Sequence, residues 1–150
     1  MKQLIYAFIC ITLLVSCNRE KRYSRKLMKG ETWEVVSITA DGQETPLAGS
    51  KWLVTCDVDI YDSVPRVMWT SNGEDAVFEW QFRDKGKQFI LSYYQLCEEC
   101  EGVDMDALDY AAYDLTGTYS VERHGRNKME FKSNTTIGYP DKEVVIVIER

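Results

Sequence analysis

The sequence lacks several short catalytic signatures that spacing can reveal. No nucleophile elbow, no His-Glu-x-x-His zinc motif and no phosphate-binding loop occurs in its 150 residues. The single histidine, His124, lies in a His-Gly-Arg-Asn turn, where an exposed polar residue is expected rather than a catalytic base. No region is strongly basic, which argues against nucleic acid as a partner. No long helical periodicity, internal repeat or low-complexity segment interrupts the chain. Between Gln88 and Glu122 there is no lysine or arginine at all. No apolar stretch after the first seventeen residues has the length of a membrane span.

What the chain does have begins at its N-terminus, MKQLIYAFICITLLVSC. Lys2 supplies a positive start, and Leu4 to Val15 is uncharged and mostly apolar. That run is too short to cross about 30 Å of hydrocarbon as a permanent helix, but it suits a secretory signal. It ends in Leu14-Val15-Ser16-Cys17, which resembles the lipobox of bacterial lipoproteins. The resemblance implies cleavage before Cys17 and lipidation of its thiol and new amino group, an anchor above the two-signal threshold for stable attachment. Residues 1–16 are then a removed signal peptide and 17–25 a lipidated tether. Without Lys2 the mature chain has 17 basic and 24 acidic side chains, a net charge of −7. Asn18-Arg19-Glu20-Lys21-Arg22 is polar and mainly basic. It lacks the acidic run that marks surface-exported lipoproteins in some Gram-negative groups. The expected location is the cell envelope, anchored to the outer membrane and facing the periplasm.

The remaining residues, 26–150, read as one β domain. Tyr23 to Lys29 suits a short helix stopped by Gly30. Glu31 to Thr39 is β-branched and aromatic and runs into Asp41-Gly42, a hairpin signal. Lys51 to Ile60 alternates, with Trp52, Val54, Cys56, Val58 and Ile60 on one face. A short run with Val67 and Trp69 closes at Ser71-Asn72-Gly73. Ala76, Phe78, Trp80 and Phe82 then alternate with Val77, Glu79, Gln81 and Arg83. Gln88 to Leu96 follows Asp84-Lys85-Gly86, and a loop of about fifteen residues comes next. Tyr113, Leu115, Gly117, Tyr119 and Val121 alternate as a sixth strand. Met129 with Phe131 marks a seventh, and Glu143 to Glu149 the eighth. The expected fold class is all-β, an eight-stranded antiparallel up-and-down barrel with a short N-terminal helix.

Three stretches carry a resemblance to a family: Gly30-Glu31-Thr32-Trp33, Phe78-Glu79-Trp80-Gln81-Phe82 and Leu115-Thr116-Gly117-Thr118-Tyr119-Ser120-Val121. With the preceding helix and the apolar last strand, they make residues 26–150 similar to the lipocalin-like (calycin) domains of bacterial lipoproteins. The resemblance implies a barrel with a tryptophan packed at its closed end and small apolar ligands in its cup. The family's usual Gly-x-Trp start is Gly-x-x-Trp here, and its Thr-Asp-Tyr turn is missing.

The aromatic residues Trp33, Trp52, Trp80, Tyr113 and Tyr119 are the candidate ligand-binding positions, against the plainer expectation that such side chains fill the core. Cys97 and Cys100, in Cys-Glu-Glu-Cys, have the spacing of redox centres, zinc knuckles and local disulfides. Glu98, Glu99 and Glu101 disfavour a catalytic thiolate, and a second cysteine pair for zinc is missing. An oxidising compartment favours a local disulfide, worth at most roughly 2 kcal/mol. Cys56, on the apolar face of its strand, reads as a small hydrophobe. The acidic stretch from Glu98 to Asp109 offers Glu101, Asp104 and Asp106 as candidate calcium ligands, although acidic loops are usually just solvated. The expectation is a non-catalytic lipoprotein with no cofactor that binds a small hydrophobic molecule or lipid. The alternative is a filled barrel that docks a protein partner through the acidic 98–109 loop.

Overall fold

The computed structural model describes residues 18–29, 32–45, 47, 50–53, 66–94, 105 and 107–150. The chain opens with helix α1 (Asn18–Met28) and continues into β1 (Thr32–Ala40), the two-residue β2 (Gln43–Glu44) and β3 (Lys51–Leu53). Next come β4 (Arg66–Ser71), β5 (Glu74–Arg83), a 3-10 turn (Asp84–Gly86) and β6 (Gln88–Tyr93). Helix α2 (Ala107–Asp114) precedes β7 (Gly117–His124), β8 (Lys128–Thr135) and β9 (Pro140–Glu149). Among the described residues no helix is long and apolar enough to cross a membrane.

All the strands belong to one antiparallel sheet in the order β2-β1-β3-β4-β5-β6-β7-β8-β9, and β9 also pairs with β1. β1 is shared: Thr32 to Glu34 pair with β3, whereas Glu34 to Ala40 pair with β9. The sheet therefore curls until its last strand meets its first, a barrel-like meander. Irregular rungs at Val35/Ser37, Val121/Arg123 and Ser133/Thr135 help the curl. Asp41-Gly42 and Asn72-Gly73 each turn the chain with two positive φ angles (50° and 75°; 54° and 88°), matching the twist of the strands they join.

The alternation in β5 sorts its side chains: Ala76, Phe78, Trp80 and Phe82 are buried and the residues between them are not. The same rule brings Trp33, Val35 and Ile38 from β1, Val67 and Trp69 from β4, and Phe89 and Leu91 from β6 into one core. Tyr119, Met129, Phe131, Val144, Ile146 and Ile148 complete it from β7, β8 and β9.

Two sequence expectations change here, and a third is described only in part. α1 begins at Asn18 rather than Tyr23, so residues 18–25, read as tether, are helical. Its core-facing side recurs at Tyr23 and Leu27, and good helix formers extend it backwards. The segment after β6 contains α2 where a loop was expected. Leu108, Ala112 and Leu115 are buried at helical spacing. As a result Tyr113 lies on a helix, not on a strand with Tyr119. The expected strand from Lys51 to Ile60 is described as β3 through Leu53, and Val54 to Ile60, with Cys56, lie outside the described residues.

Candidate functional site

Trp33, Trp80 and Tyr119 all point into the barrel, and each is at most 1% exposed. The Trp33 indole N–H donates to the Leu27 carbonyl at 3.0 Å, which ties β1 to the end of α1. The guanidinium of Arg150, just past β9, lies 5.1 Å from the Trp33 ring centroid, a cation–π contact. Tyr119 donates its hydroxyl to the Leu115 carbonyl, and burial, with Tyr139 nearby, pushes its phenol well above the ordinary range. It stays a neutral donor. Trp80 stands beside Phe82 and Phe89 at centroid separations of 6.0 and 6.2 Å, and its indole N–H has no hydrogen-bond partner among the described residues. Trp52 pairs through its backbone with Trp33 on one side and Trp69 on the other; its side chain lies outside the described part.

The degree of sealing decides what these aromatics can do. A side chain lining a cup large enough for a ligand is reached by water-sized contacts. Trp33, Trp69, Phe78, Phe89, Leu91, Tyr119 and Phe131 are each 0% exposed. They therefore pack against their neighbours as members of one core cluster. Stacking of Phe89 on Phe131, with centroids 4.3 Å apart, is part of that filling.

Each end of the barrel carries one helix. α1 sits at the end that holds the β5–β6 turn, the β7–β8 turn and Arg150. Its Glu20 carboxylate accepts the Lys85 backbone N–H at 2.7 Å. Tyr23 lies over Gly86, where a Cβ would stand 2.7 Å from the ring. Its edge meets Phe82 at 5.6 Å, and its face stacks on His124 at 3.5 Å with 12° between the planes. His124 is thus half-buried under α1, not the free turn residue that its polar neighbours predict. Burial, and the positive charges of Lys26 and Arg22, lower its pKa to about 4, so the ring is neutral at physiological pH.

α2 sits at the other end of the β5–β6 hairpin. Leu108, Ala112 and Leu115 seal that end of the core. The Tyr93 hydroxyl donates to Asp109 at 2.9 Å, and the Tyr93 backbone N–H donates to Thr116 Oγ1 at 2.9 Å. The β8–β9 turn joins the helix through Ile137 N–H to the Thr116 carbonyl and Gly138 N–H to the Asp114 carbonyl. On the outward side, Tyr110 is 59%, Tyr113 45% and Ile137 49% exposed. These three are most of the large hydrophobics exposed among the described residues, and the chain brings them to one end. Burying such a side chain in a partner is worth roughly 1.5–3 kcal/mol. Tyr113, expected inside, belongs to this outer surface because α2 turns it away from the core.

Two open depressions are formed on the outside by described residues. One of about 310 Å³ runs between α1 and β5, lined by Lys21, Arg25, Met28 and Phe82 among others. A polar one of about 380 Å³ lies on β7 and β8, around Ser120, Glu122, Lys132 and Asn134. Among the described residues no group of three or more histidine, cysteine or acidic side chains is arranged to hold a metal. Cys17, Cys97, Cys100 and the calcium candidates Glu101, Asp104 and Asp106 lie outside the described residues. Comparison with known proteins yields no matching family model, no matching curated protein and no matching solved structure.

Proposed function

We propose that this chain is a lipid-anchored, lipocalin-like module of the bacterial envelope, non-catalytic, with a filled barrel that docks a protein partner at its α2 end. The observation that carries this reading is the sealed interior. Among the described residues, side chains at 0% exposure leave no cup where Trp33 and Tyr119 would meet a ligand, so recognition falls to the outside. There the exposed Tyr110, Tyr113 and Ile137 are flanked by Asp109 and Asp114, and the preceding residues 98–106 add five more acidic side chains. Tyrosine combines apolar area with a polar tip and is enriched at interfaces for that reason. The lipobox-like Leu14-Val15-Ser16-Cys17 supports the anchor, and the buried Trp33 on the first strand fits a lipocalin-like form.

A second reading is favoured by one observation. Among the described residues the Trp80 indole N–H is buried without a partner, which is costly unless an acceptor satisfies it. A small hydrophobic molecule with one carbonyl would do so and would make the barrel a carrier.

A photo-crosslinking amino acid at Tyr110 or Tyr113 in the whole chain, in cells, tests the proposal together with native mass spectrometry of the extracted protein. The expected result is a discrete protein adduct from both positions and spectra free of a small molecule. A stoichiometric co-purifying ligand, with no adduct at either tyrosine, would transfer the function to the interior.

A further inference from the structure

We infer that the outward arc of α1 rests on an anionic lipid surface and fixes how the barrel stands on its membrane; this rests on the anchor proposed at Cys17. The helix has two sides. Tyr23, Leu27 and Met28 pack toward the barrel, and Glu20 turns the same way to hold Lys85. Arg19, Lys21, Arg22, Arg25 and Lys29 are exposed, and Lys26 is partly so. At 3.6 residues per turn these six fall on one continuous arc, which contains no acidic residue. Among the described residues none of the six forms an ion pair; Arg22 makes only a cation–π contact with Tyr23, at 5.7 Å.

Charge elsewhere has the opposite sign. Residues 19–29 hold six basic side chains against Glu20, whereas residues 30–150 hold 11 basic and 23 acidic ones. A negative surface therefore attracts α1 and repels the body. Lipidated Cys17 immediately precedes α1 and keeps the arc within the roughly 8 Å over which such attraction survives physiological salt. A basic segment beside a lipid anchor is the arrangement that strengthens attachment to anionic bilayers. α1 and α2 occupy opposite ends of the β5–β6 hairpin, so binding by α1 directs Tyr110 and Tyr113 away from the bilayer.

Lysine footprinting tests this on the whole chain, reconstituted into vesicles of phosphatidylcholine alone or mixed with phosphatidylglycerol. We expect amine labelling of Lys21 and Lys29 to fall about fivefold in the anionic vesicles and to recover at high salt. Lys142, exposed at the start of β9 beside the β8–β9 turn that meets α2, should label equally in both. In Arg22→Gln/Arg25→Gln, which alters only outward positions, protection of Lys21 and Lys29 should largely disappear. Mass analysis of the peptide carrying Cys17 separates this inference from the anchor. Equal labelling in both vesicles with Cys17 acylated overturns the inference and leaves the anchor standing. Protection with Cys17 unmodified supports the inference and removes the anchor. Protection by double-stranded DNA but not by vesicles would overturn it in favour of nucleic acid.

Discussion

The two ends of this barrel are built alike and present opposite chemistry. Each is closed by a helix whose inner side joins the core, Tyr23 and Leu27 from α1, Leu108 and Ala112 from α2. Each helix also meets a glycine that makes room for it. A Cβ on Gly86 would reach the Tyr23 ring at 2.7 Å, and one on Gly138 would fall 2.3 Å from the Asp114 Cβ. The outward sides then diverge. α1 displays an arc of cations, α2 two exposed tyrosines between carboxylates. The buried core is common to both, so the two ends differ only in what each closing helix turns toward water.

The comparison breaks most severely if the shared core is opened. Trp33→Ala removes a fully buried indole and its bond to Leu27, and should cost about 3–5 kcal/mol in denaturant unfolding. It should release α1 while leaving α2 amides comparatively protected from hydrogen exchange. A loss below about 1 kcal/mol would mean that the site tolerates a cavity, as a ligand cup would.

The glycines sharpen the comparison at the next scale. Gly138→Ala should cost about 1–3 kcal/mol and raise exchange at α2 alone. Gly86→Ala, at a φ of 78° and under Tyr23, should cost a similar amount and loosen α1 alone. Equal loosening of both helices by either substitution would show that the two ends are not independent.

A smaller effect distinguishes the ends by pH. His124 has an ordinary pKa of 6.5 when unfolded and about 4 when folded, so the unfolded chain binds more protons between these values. The contribution of the neutral ring is therefore fully present above about pH 6.5 and is lost as pH falls toward 4. Discounted for its half-exposed position, the loss is on the order of 1 kcal/mol. His124→Asn should flatten the difference in stability across that window, and NMR titration of the lone imidazole should give the low midpoint. A midpoint near 6.5 would place the ring outside the Tyr23 stack.

The smallest effect belongs to the outer surface of α2. Tyr110→Ser and Tyr113→Ser should change unfolding free energy by less than about 0.5 kcal/mol while abolishing partner crosslinking. Destabilisation well beyond that would make the tyrosines structural.

Much of the fold was legible because its signals are short in sequence. Asp41-Gly42 and Asn72-Gly73 turn where their left-handed angles require them to, and the period of two in β5 places Trp80 and Phe82 inside. α2 was not legible as a helix. Tyr113, Leu115, Gly117 and Tyr119 continue the strand period backwards into it, and Leu108, Ala112 and Leu115 are few and set among aspartates. The exposed tyrosines were missed as a surface for the same reason.

The residues by themselves determined which side chains prefer the interior, where the chain turns, and that its positive charge gathers near Cys17 while its body is acidic. Those are properties of neighbours within a few residues, and composition and spacing express them directly. Only the tertiary structure decided that the aromatics fill the barrel, that His124 stacks on Tyr23 some hundred residues earlier, and that the basic and acidic helices stand at opposite ends. Such contacts exist only once β9 returns to pair with β1 and the sheet curls. A closed circuit of strands fixes distances that no local pattern contains.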